Sequence, residues 1–157
     1  MLTRQAGDGD AGAVTALWTE AYTGGGPGGR STPYEQREFL ESLHRGRISV
    51  AEEGSRVVGV VVLYPPGVAG RAMGRDGEAE LSRLAVSAAA RGRGIGRALV
   101  EKCTDQARAA GAGAIVLWSR PYQLEAHRLY ESHGYRRVPE RDSEDADGRR
   151  VVFILSI

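Results

Sequence analysis

The residues best suited to bind an anion form a glycine-rich turn between a strand-like and a helix-like segment. Residues 81–96 read LSRLAVSAAARGRGIG, with glycine at 92, 94 and 96. Backbone N–H groups at the start of a helix lack partners, and the helix dipole adds roughly half a positive charge there. Glycine permits positive φ and lets a bulky anion approach the backbone closely. The stretch predicts a diphosphate-binding loop, and a tight turn without a ligand is the alternative.

Two other phosphate motifs fit the sequence less well. A dinucleotide-binding G-x-G-x-x-G pattern starting at Gly92 requires glycine at position 97, where Arg97 stands. Residues 24–31 (GGGPGGRS) imitate a P-loop, but Arg30 replaces its lysine and a predicted helix precedes it where a P-loop follows a strand. Neither pattern therefore predicts a nucleotide site.

The strand before the glycine-rich turn does not alternate regularly. Leu81 and Leu84 are three residues apart, so strict alternation would place them on opposite faces of a sheet. A β-bulge near Arg83 and Leu84 would bring them to one face and leave a backbone N–H or C=O unpaired for a ligand. The alternative is a strand buried on both faces, which needs no bulge.

The elements that must position this turn follow the order β-α-α-β-β-β-α-β-α-β-β. Strands are predicted at 2–5, 47–52, 56–64, 78–86, 114–118, 135–138 and 151–157, and helices at 10–22, 33–44, 94–110 and 123–132. Segments 23–29 and 65–77 are predicted to be loops. We expect one α/β domain over residues 1–157, with a mixed, mostly antiparallel central sheet flanked by helices.

Bulk composition limits the classes of function. The 157 residues carry a net charge of +1, and the arginine clusters interleave with glycine and not with aromatic residues, so nucleic-acid binding is not expected. The sequence has no apolar run of ~20 residues for a membrane span and no apolar stretch near its start, so the expected location is the cytoplasm. Cys103 alone forms no internal disulfide and is expected in the core, and the three histidines lack metal-ligand spacing.

Two motifs together resemble those of the GNAT acetyltransferase superfamily. Residues 80–86 (ELSRLAV) followed by 91–99 (RGRGIGRAL) resemble its central motif, Q/R-x-x-G-x-G/A. Residues 123–135 (QLEAHRLYESHGY) resemble the next motif, N-x-x-A-x-x-L-Y-x-x-x-G-F/Y. The order and separation of the motifs agree with the family, and the resemblance covers nearly the whole chain.

The resemblance implies a sheet splayed into a V, with acyl-CoA between the bulged strand and the strand at 114–118. The cosubstrate would be acetyl-CoA, without a metal. Backbone groups of Leu84, Ala85 and Val86 would bind the pantetheine and the acyl carbonyl. Its pyrophosphate would be lined by Arg91, Gly92, Arg93, Gly94, Ile95, Gly96 and Arg97. Gln123 stands where the family often has asparagine, in contact with the pantetheine arm.

The resemblance also implies two catalytic residues. Tyr130 would lie beside the thioester sulfur as the acid, and its alternative role is that of a core tyrosine. Glu80 would be the general base, and Glu78 is the alternative carboxylate. Tyr22, Tyr34 and Trp118 are candidates for binding the acceptor, although core packing explains Trp118 equally well. His133 is expected to cap the end of its helix.

The predicted function is transfer of an acetyl group from acetyl-CoA to a primary amine of a small molecule or peptide, by direct attack through a tetrahedral intermediate. The alternative is a non-catalytic acyl-CoA-binding module or sensor. The acidic segment 140–147 would attract protonated amines if it faced the pocket, or would simply be a solvated tip. The chain is expected to be a monomer or a homodimer, since an edge strand at 151–157 would allow two copies to pair.

Overall fold

A computed structural model describes residues 1–23, 30, 32–68 and 73–157. In chain order its elements are β1 (Leu2–Gln5), α1 (Ala11–Tyr22), α2 (Gln36–Arg45), β2 (Arg47–Glu53), β3 (Arg56–Tyr64), β4 (Glu78–Val86), α3 (Ile95–Ala109), β5 (Ala114–Ser119), α4 (Leu124–Ser132), β6 (Arg136–Arg137), β7 (Ser143–Asp145) and β8 (Gly148–Ser156). This order confirms the predicted one, with β7 added.

The strands form one sheet in the order β1-β2-β3-β4-β5-β8-β6, and β7 pairs with the start of β8. Neighbouring strands are antiparallel except β4 and β5, which are parallel. The β4–β5 ladder runs for three pairs, from Glu78–Ala114 to Glu80–Val116. Beyond it β4 stays paired with β3, and β5 stays paired with β8. The two strands therefore separate into a V, as predicted, and leave a cleft between them.

Two groups of helices cover opposite faces of the sheet. On one face α3 buries Leu99, Cys103 and Ala107, which recur every four residues, so the core position expected for Cys103 is confirmed. Gly59 of β3 allows this close packing, because a Cβ there would lie 2.8 Å from Ile95 Cγ2. On the other face α1 and α2 bury a second core that includes Trp18.

Three local predictions were wrong. The second helix begins at Gln36, three residues after Pro33, because Glu35 and Glu38 form a capping box there. Part of the acidic segment is a strand, since β7 forms a hairpin with β8. The segment 151–157 is not a free edge, because β8 pairs with β5 on one side and with β6 and β7 on the other.

Some predictions concern residues outside the described part. The P-loop-like stretch and the loop predicted at 23–29 fall largely on residues 24–29 and 31, and the loop predicted at 65–77 includes residues 69–72. Among the helices that the structure describes, none combines the length and the apolar composition of a membrane span.

Candidate functional site

The bulge predicted in β4 is confirmed. Val60 pairs with Ala85 and Val62 pairs with Ser82, so Val61 stands opposite two residues, Arg83 and Leu84. Arg83 has a φ of 51°, the only positive φ of a non-glycine residue in the described chain. A β-branched or bulky residue in this region is strained by about 1–3 kcal/mol unless its surroundings hold it there.

Helix α1 supplies those surroundings through two side chains. Trp18 donates from Nε1 to the carbonyl oxygen of Arg83 at 3.1 Å, and the Tyr22 hydroxyl donates to the carbonyl oxygen of Leu84. Both bulge carbonyls therefore have partners, and the bulge is locked to the helix. Tyr22, predicted to contact the acceptor, uses its hydroxyl to hold the bulge.

Backbone alternation turns one edge of β4 toward the cleft. Ser87 N–H donates to Val58 O at 2.8 Å, so the peptide groups of the preceding residue, Val86, point to the opposite edge, which faces β5. Ala85 pairs with Val60 instead. Of the three residues predicted to bind pantetheine by their backbones, Val86 therefore faces the cleft, and Leu84 lies in the bulge with its carbonyl bound to Tyr22.

The glycine-rich turn has the conformation of an anion-binding loop. Gly92 and Gly94 have φ of 78° and 80°, and Gly94 is the N-cap of α3. The first helical hydrogen bond runs from Ala98 N–H to Gly94 O at 3.0 Å. No backbone N–H of residues 92–97 donates a hydrogen bond within the described part of the chain. A helix start with such unpaired donors is a site for a phosphate group.

Gly96 serves a different purpose from the other two glycines. A Cβ there would lie 3.1 Å from Leu129 Cδ2 of α4, so the glycine allows α3 and α4 to approach each other. Ile95 beside it is buried in the core. The predicted loop therefore combines two conformational glycines with two residues that pack the helices.

The arginines of the loop are engaged elsewhere on the surface. Arg93 pairs with Glu53 at 2.6 Å, and Arg97 pairs with Glu101 of its own helix at 3.5 Å. Arg91 contacts Val86 O at 3.4 Å. All three side chains are exposed, and surface pairs of this kind contribute about 0–1 kcal/mol, so they are weak competitors for a diphosphate.

Glu80 is buried on the face of β4 that α1 and α2 cover. Only 2% of its surface is exposed, and its Oε1 accepts hydrogen bonds from the N–H groups of Met73 at 2.6 Å and Gly74 at 2.7 Å. In the ladders it stands beside Val116 of β5 and opposite Tyr64 of β3. The carboxylate therefore lies where β4 and β5 begin to separate, at the end of the cleft.

Glu78, the alternative base, is committed to an ion pair. Arg141 donates to both of its oxygens, at 2.8 and 3.0 Å. Burial raises the pKa of Glu78. The hydrogen bonds from Arg141 and from the Arg75 N–H, together with the charges of both arginines, outweigh burial, so the pKa is lowered. A carboxylate held in this way is a poor proton acceptor.

Tyr130 lies in the core that α3 and α4 form, 6% exposed, with its ring against those of Tyr135 and Phe153. Burial, followed by the neighbouring Tyr135 and Cys103, raises its pKa well above the ordinary value. Its hydroxyl therefore stays protonated at neutral pH and forms no hydrogen bond within the described residues.

The remaining predicted contacts are spread along the cleft. Gln123 precedes α4, and its Oε1 accepts from Ser119 Oγ and Arg120 N–H, both at 2.9 Å, at the end of β5. His133 is the C-cap residue of α4, as predicted.

Trp118 and Tyr34 pack against different parts of the molecule. The Trp118 ring packs between the guanidinium groups of Arg120 and Arg150, with centroid distances of 4.6 and 4.9 Å, which anchors it to the β7–β8 hairpin. The Tyr34 ring lies 5.6 Å from that of Trp18.

The acidic segment is neutralised from within. Asp142 bonds to Arg137 and Arg149, and Asp145 bonds to Arg120 and Arg150. The hydrogen bonds from Arg137 and Arg120, respectively, are the largest of the causes that lower the pKa of the two aspartates. These two carboxylates hold the β7–β8 hairpin, whereas Glu140, Glu144 and Asp147 of the same segment are exposed.

Sequence reasoning missed two functional side chains, Trp18 and Arg83. Arg83 donates to Ser42 Oγ at 3.0 Å, and its guanidinium lies 5.1 and 5.3 Å from the ring centroids of Trp18 and Tyr34. The Trp18–Arg83 bond joins residues 65 apart in sequence, so no local pattern signals it. Within residues 1–23, 30, 32–68 and 73–157, no three His, Cys, Asp or Glu side chains are placed to hold a metal.

Comparison with known proteins agrees with this geometry. Residues 12–135 match the model of the acetyltransferase (GNAT) family. The human N-acetylaspartate synthetase is 37% identical over 93 residues, which are 59% of this chain and 28% of that protein. The rat N-acetyltransferase 8F1 is 38% identical over 96 residues, 61% of this chain and 42% of that protein. The chain thus spans well under half the length of these curated relatives.

Solved structures share the fold over the whole chain. Ribosomal-protein-alanine N-acetyltransferase from Brucella melitensis superposes with a TM-score of 0.80 at 22% identity, covering 100% of both chains. A putative acetyltransferase from Salmonella typhimurium, solved with its cofactor acetyl-CoA, has a TM-score of 0.76 at 22% identity and covers 99% of this chain and 93% of that one.

Proposed function

Since the chain belongs to the GNAT acetyltransferase family, we propose that it transfers the acetyl group of acetyl-CoA to a primary amine of a small molecule or peptide. Acetyl-CoA supplies the activated acetyl thioester. Residues of the cleft bind it, accept a proton from the amine and stabilise the departing sulfur. Each of these roles is supported by a different group of residues.

The fit of acetyl-CoA to the cleft rests on backbone groups. Residues 92–97 offer unpaired N–H donors at the start of α3, and the positive φ of Gly92 and Gly94 leaves open space where a side chain would stand. A diphosphate satisfies such donors and interacts favourably with the helix dipole. From there the edge of β4 leads past Val86 and Leu84 toward Glu80. This path supports binding of pantetheine between β4 and β5.

The amine must lose a proton, because alkyl amines with a pKa near ~10.4 are protonated at neutral pH. Glu80 accepts that proton, directly or through water, so that the nitrogen lone pair attacks the thioester carbonyl. Its Oε1 is fixed by the N–H groups of Met73 and Gly74, which hold the carboxylate in place at the end of the cleft.

Charge then develops on the carbonyl oxygen and on sulfur. The backbone N–H of Leu84, a residue of the bulge, donates to the oxygen as the carbon–nitrogen bond forms. The carbonyl then re-forms as the carbon–sulfur bond breaks, the electron pair goes to sulfur, and the second proton on nitrogen passes to the thiolate or to water. A thiol with a pKa of ~8.5 is far more acidic than a buried tyrosine, so Tyr130 donates a hydrogen bond to a thiolate and keeps its own proton.

One observation carries the proposal: a buried carboxylate, Glu80, lies at the end of a cleft whose other end is a loop of unpaired N–H groups. A module that only binds acyl-CoA needs the loop and not the carboxylate. Release of free thiol from acetyl-CoA, measured with a mixed panel of primary amines and followed by mass spectrometry of the products, tests this. Tight binding of acetyl-CoA with no acetylated product from any amine would support the sensor instead.

A further inference from the structure

The guanidinium of Arg83 differs from the other enclosed arginines of the molecule. Six other arginines are buried or half-buried in the described chain, and each has a carboxylate oxygen at 3.0 Å or less: Arg4, Arg30, Arg120, Arg137, Arg141 and Arg150. Arg83 is half-buried too, yet no described carboxylate lies within 4 Å of it.

The missing counter-ion does not come from elsewhere in the chain. Residues 24–29, 31 and 69–72, which the structure leaves undescribed, include no aspartate or glutamate. Glu38 is within electrostatic range of Arg83, but both of its oxygens bond to Arg30. Removing a cation from water without a partner is costly, so this position favours an anion that the chain does not supply.

The contacts of Arg83 place it on the acceptor side of the cleft. Ser42 Oγ accepts from Arg83 at 3.0 Å and from the Tyr64 hydroxyl at 3.2 Å, and Tyr64 stands directly opposite Glu80 in the β3–β4 ladder. Side chains of such a cross-strand pair share a face and have Cβ atoms about 4.5–5.5 Å apart. Arg83 and Glu80 therefore line the same face of β4 on either side of Ser82.

Two further features keep the guanidinium in place. It is enclosed by the rings of Trp18 and Tyr34, which favour a cation over their faces. Its backbone is the bulge itself, whose carbonyl Trp18 binds. A planar guanidinium held in this way can receive a carboxylate through two parallel hydrogen bonds.

We infer that the amine acceptor carries a carboxylate, as an amino acid does, and that Arg83 binds this carboxylate while Glu80 receives the proton of the amine. This inference rests on the proposed function, because it names the acceptor of that site. It assigns Arg83 a role in acceptor specificity beside its structural contact with Ser42.

Kinetics with matched acceptors test the inference. Each of a set of amino acids is compared with its carboxamide and with the amine that lacks the carboxyl group. The wild type should prefer the acid by at least tenfold in kcat/KM. Arg83→Gln should lower kcat/KM for the acids about 10²-fold, mainly through KM, and change the uncharged acceptors less than about threefold. Arg83→Lys should retain an intermediate preference, since it keeps the charge and loses the planar fork.

The matched control is Arg56→Gln, which removes the same charge at an exposed position of β3. It should leave both classes of acceptor unchanged. Arg83→Gln and Arg83→Lys both keep a Cβ at the positive φ of position 83. The backbone strain there is therefore the same in these two variants as in the wild type. An equal loss for acids and amides in Arg83→Gln, or no preference for acids in the wild type, would overturn the inference.

Binding of a reaction product separates this inference from the proposed function. N-acetylated amino acids, titrated calorimetrically into the protein with CoA present, should bind the wild type at least tenfold more tightly than Arg83→Gln. If they do while no amine is acetylated, the anion subsite stands and the acetyltransferase proposal fails. If uncharged amines are acetylated and product binding is independent of Arg83, the acetyltransferase stands and the carboxylate subsite is wrong.

Discussion

At the phosphate loop the N–H groups of residues 92–97 form no hydrogen bond within the described chain, whereas at the bulge the carbonyls of Arg83 and Leu84 both bind side chains of α1. The loop takes its shape from its own glycines. The bulge takes its shape from a helix more than sixty residues earlier in the sequence.

In the proposed function, this difference separates two tasks within one cleft. The loop offers backbone donors to a ligand that binds anew in each reaction cycle. Its side chains therefore matter little, and only the glycines, which set its backbone conformation, are required. The bulge must aim one N–H and one guanidinium before any substrate arrives, and preorganisation of that kind lowers the barrier of the chemical step. Changes at the loop should therefore affect binding of acetyl-CoA, and changes to the bulge backbone or to the α1 side chains that hold it should affect the rate.

The largest effect is expected from Glu80→Gln. Glutamine keeps an Oε1 that accepts the hydrogen bonds from the N–H groups of Met73 and Gly74. The variant therefore removes the base and keeps the hydrogen bonds that hold the side chain in place. We expect kcat/KM to fall about 10³-fold at neutral pH, within the range of general base catalysis, and to recover partly at high pH where the amine deprotonates unaided. The measurement is the pH–rate profile with an identified acceptor.

Glu78→Gln is the matched control, since it makes the same change two residues away on the same strand. It should weaken the contact with Arg141 and leave the shape of the profile unaltered. A Glu80→Gln profile that overlays that of the wild type would assign the base to another group.

Tyr130→Phe should lower kcat about 10²-fold, since it removes the hydrogen bond that strengthens as sulfur becomes negative. Binding of acetyl-CoA should change little, because the loop supplies the main contacts. Steady-state kinetics and calorimetry check the two statements. Wild-type kcat in this variant, with chemistry shown to be rate-limiting, would contradict the role of Tyr130.

The neighbouring Tyr135→Phe serves as the control for Tyr130. Its hydroxyl is buried without a hydrogen-bond partner in the described residues. Removing an unsatisfied buried hydroxyl should raise the free energy of unfolding by about 1 kcal/mol and leave kcat unchanged. Chemical denaturation measures the first effect, and a loss of activity equal to that of Tyr130→Phe would show that packing of the aromatic cluster, not the hydroxyl, supports the rate.

At the other end of the cleft, Gly94→Val should weaken binding of acetyl-CoA at least tenfold, or ~1.4 kcal/mol, and leave the proton-transfer residues in place. The matched control is Gly54→Val in the β2–β3 hairpin, which also places a β-branched residue at a positive φ. The φ of Gly54 is 63°, and nothing lies within 4 Å of a Cβ there. Calorimetry should show weak binding in the first variant and normal binding in the second. Equal affinities would remove the pyrophosphate from this loop.

The smallest effect concerns the β7–β8 hairpin, which lies outside both ends of the cleft. Asp145→Asn should lower the free energy of unfolding by about 1–2 kcal/mol, since Arg120 is 10% exposed and loses its partner. The pKa of Asp145 is held below its ordinary value, so this stabilisation is present above about pH 4 and is lost as the pH falls through the lowered pKa.

Denaturation of the wild type and of Asp145→Asn at pH 7 and pH 3 tests the hairpin. The difference between the two proteins should be smaller at pH 3. An unchanged stability with a raised KM for the acceptor would support the hypothesis that this segment attracts amines.

Local patterns were enough to predict the order of elements, the glycine-rich loop and the bulge. Each depends on neighbours within a few residues: Gly92 and Gly94 on their own φ, and Leu84 on its spacing from Leu81. The surroundings of Arg83 and the partner of Tyr22 depend on contacts 62–65 residues apart, which one sequence does not reveal. The interior position of β8 was missed for the same reason, because strand order is a property of the whole sheet.

The bond between Tyr22 and Leu84 sets a boundary for protein engineering. Acceptor preference in this fold is an obvious target for redesign, and residues 24–35 between α1 and α2 are the natural segment to exchange. A graft that starts after Tyr22 leaves the register of α1 intact, whereas one that starts at or before Trp18 removes the two side chains that bind the bulge. Libraries that randomise Trp18 or Tyr22 would then lose catalytic activity as they change the acceptor specificity. Libraries that keep both residues can vary the acceptor specificity without that loss.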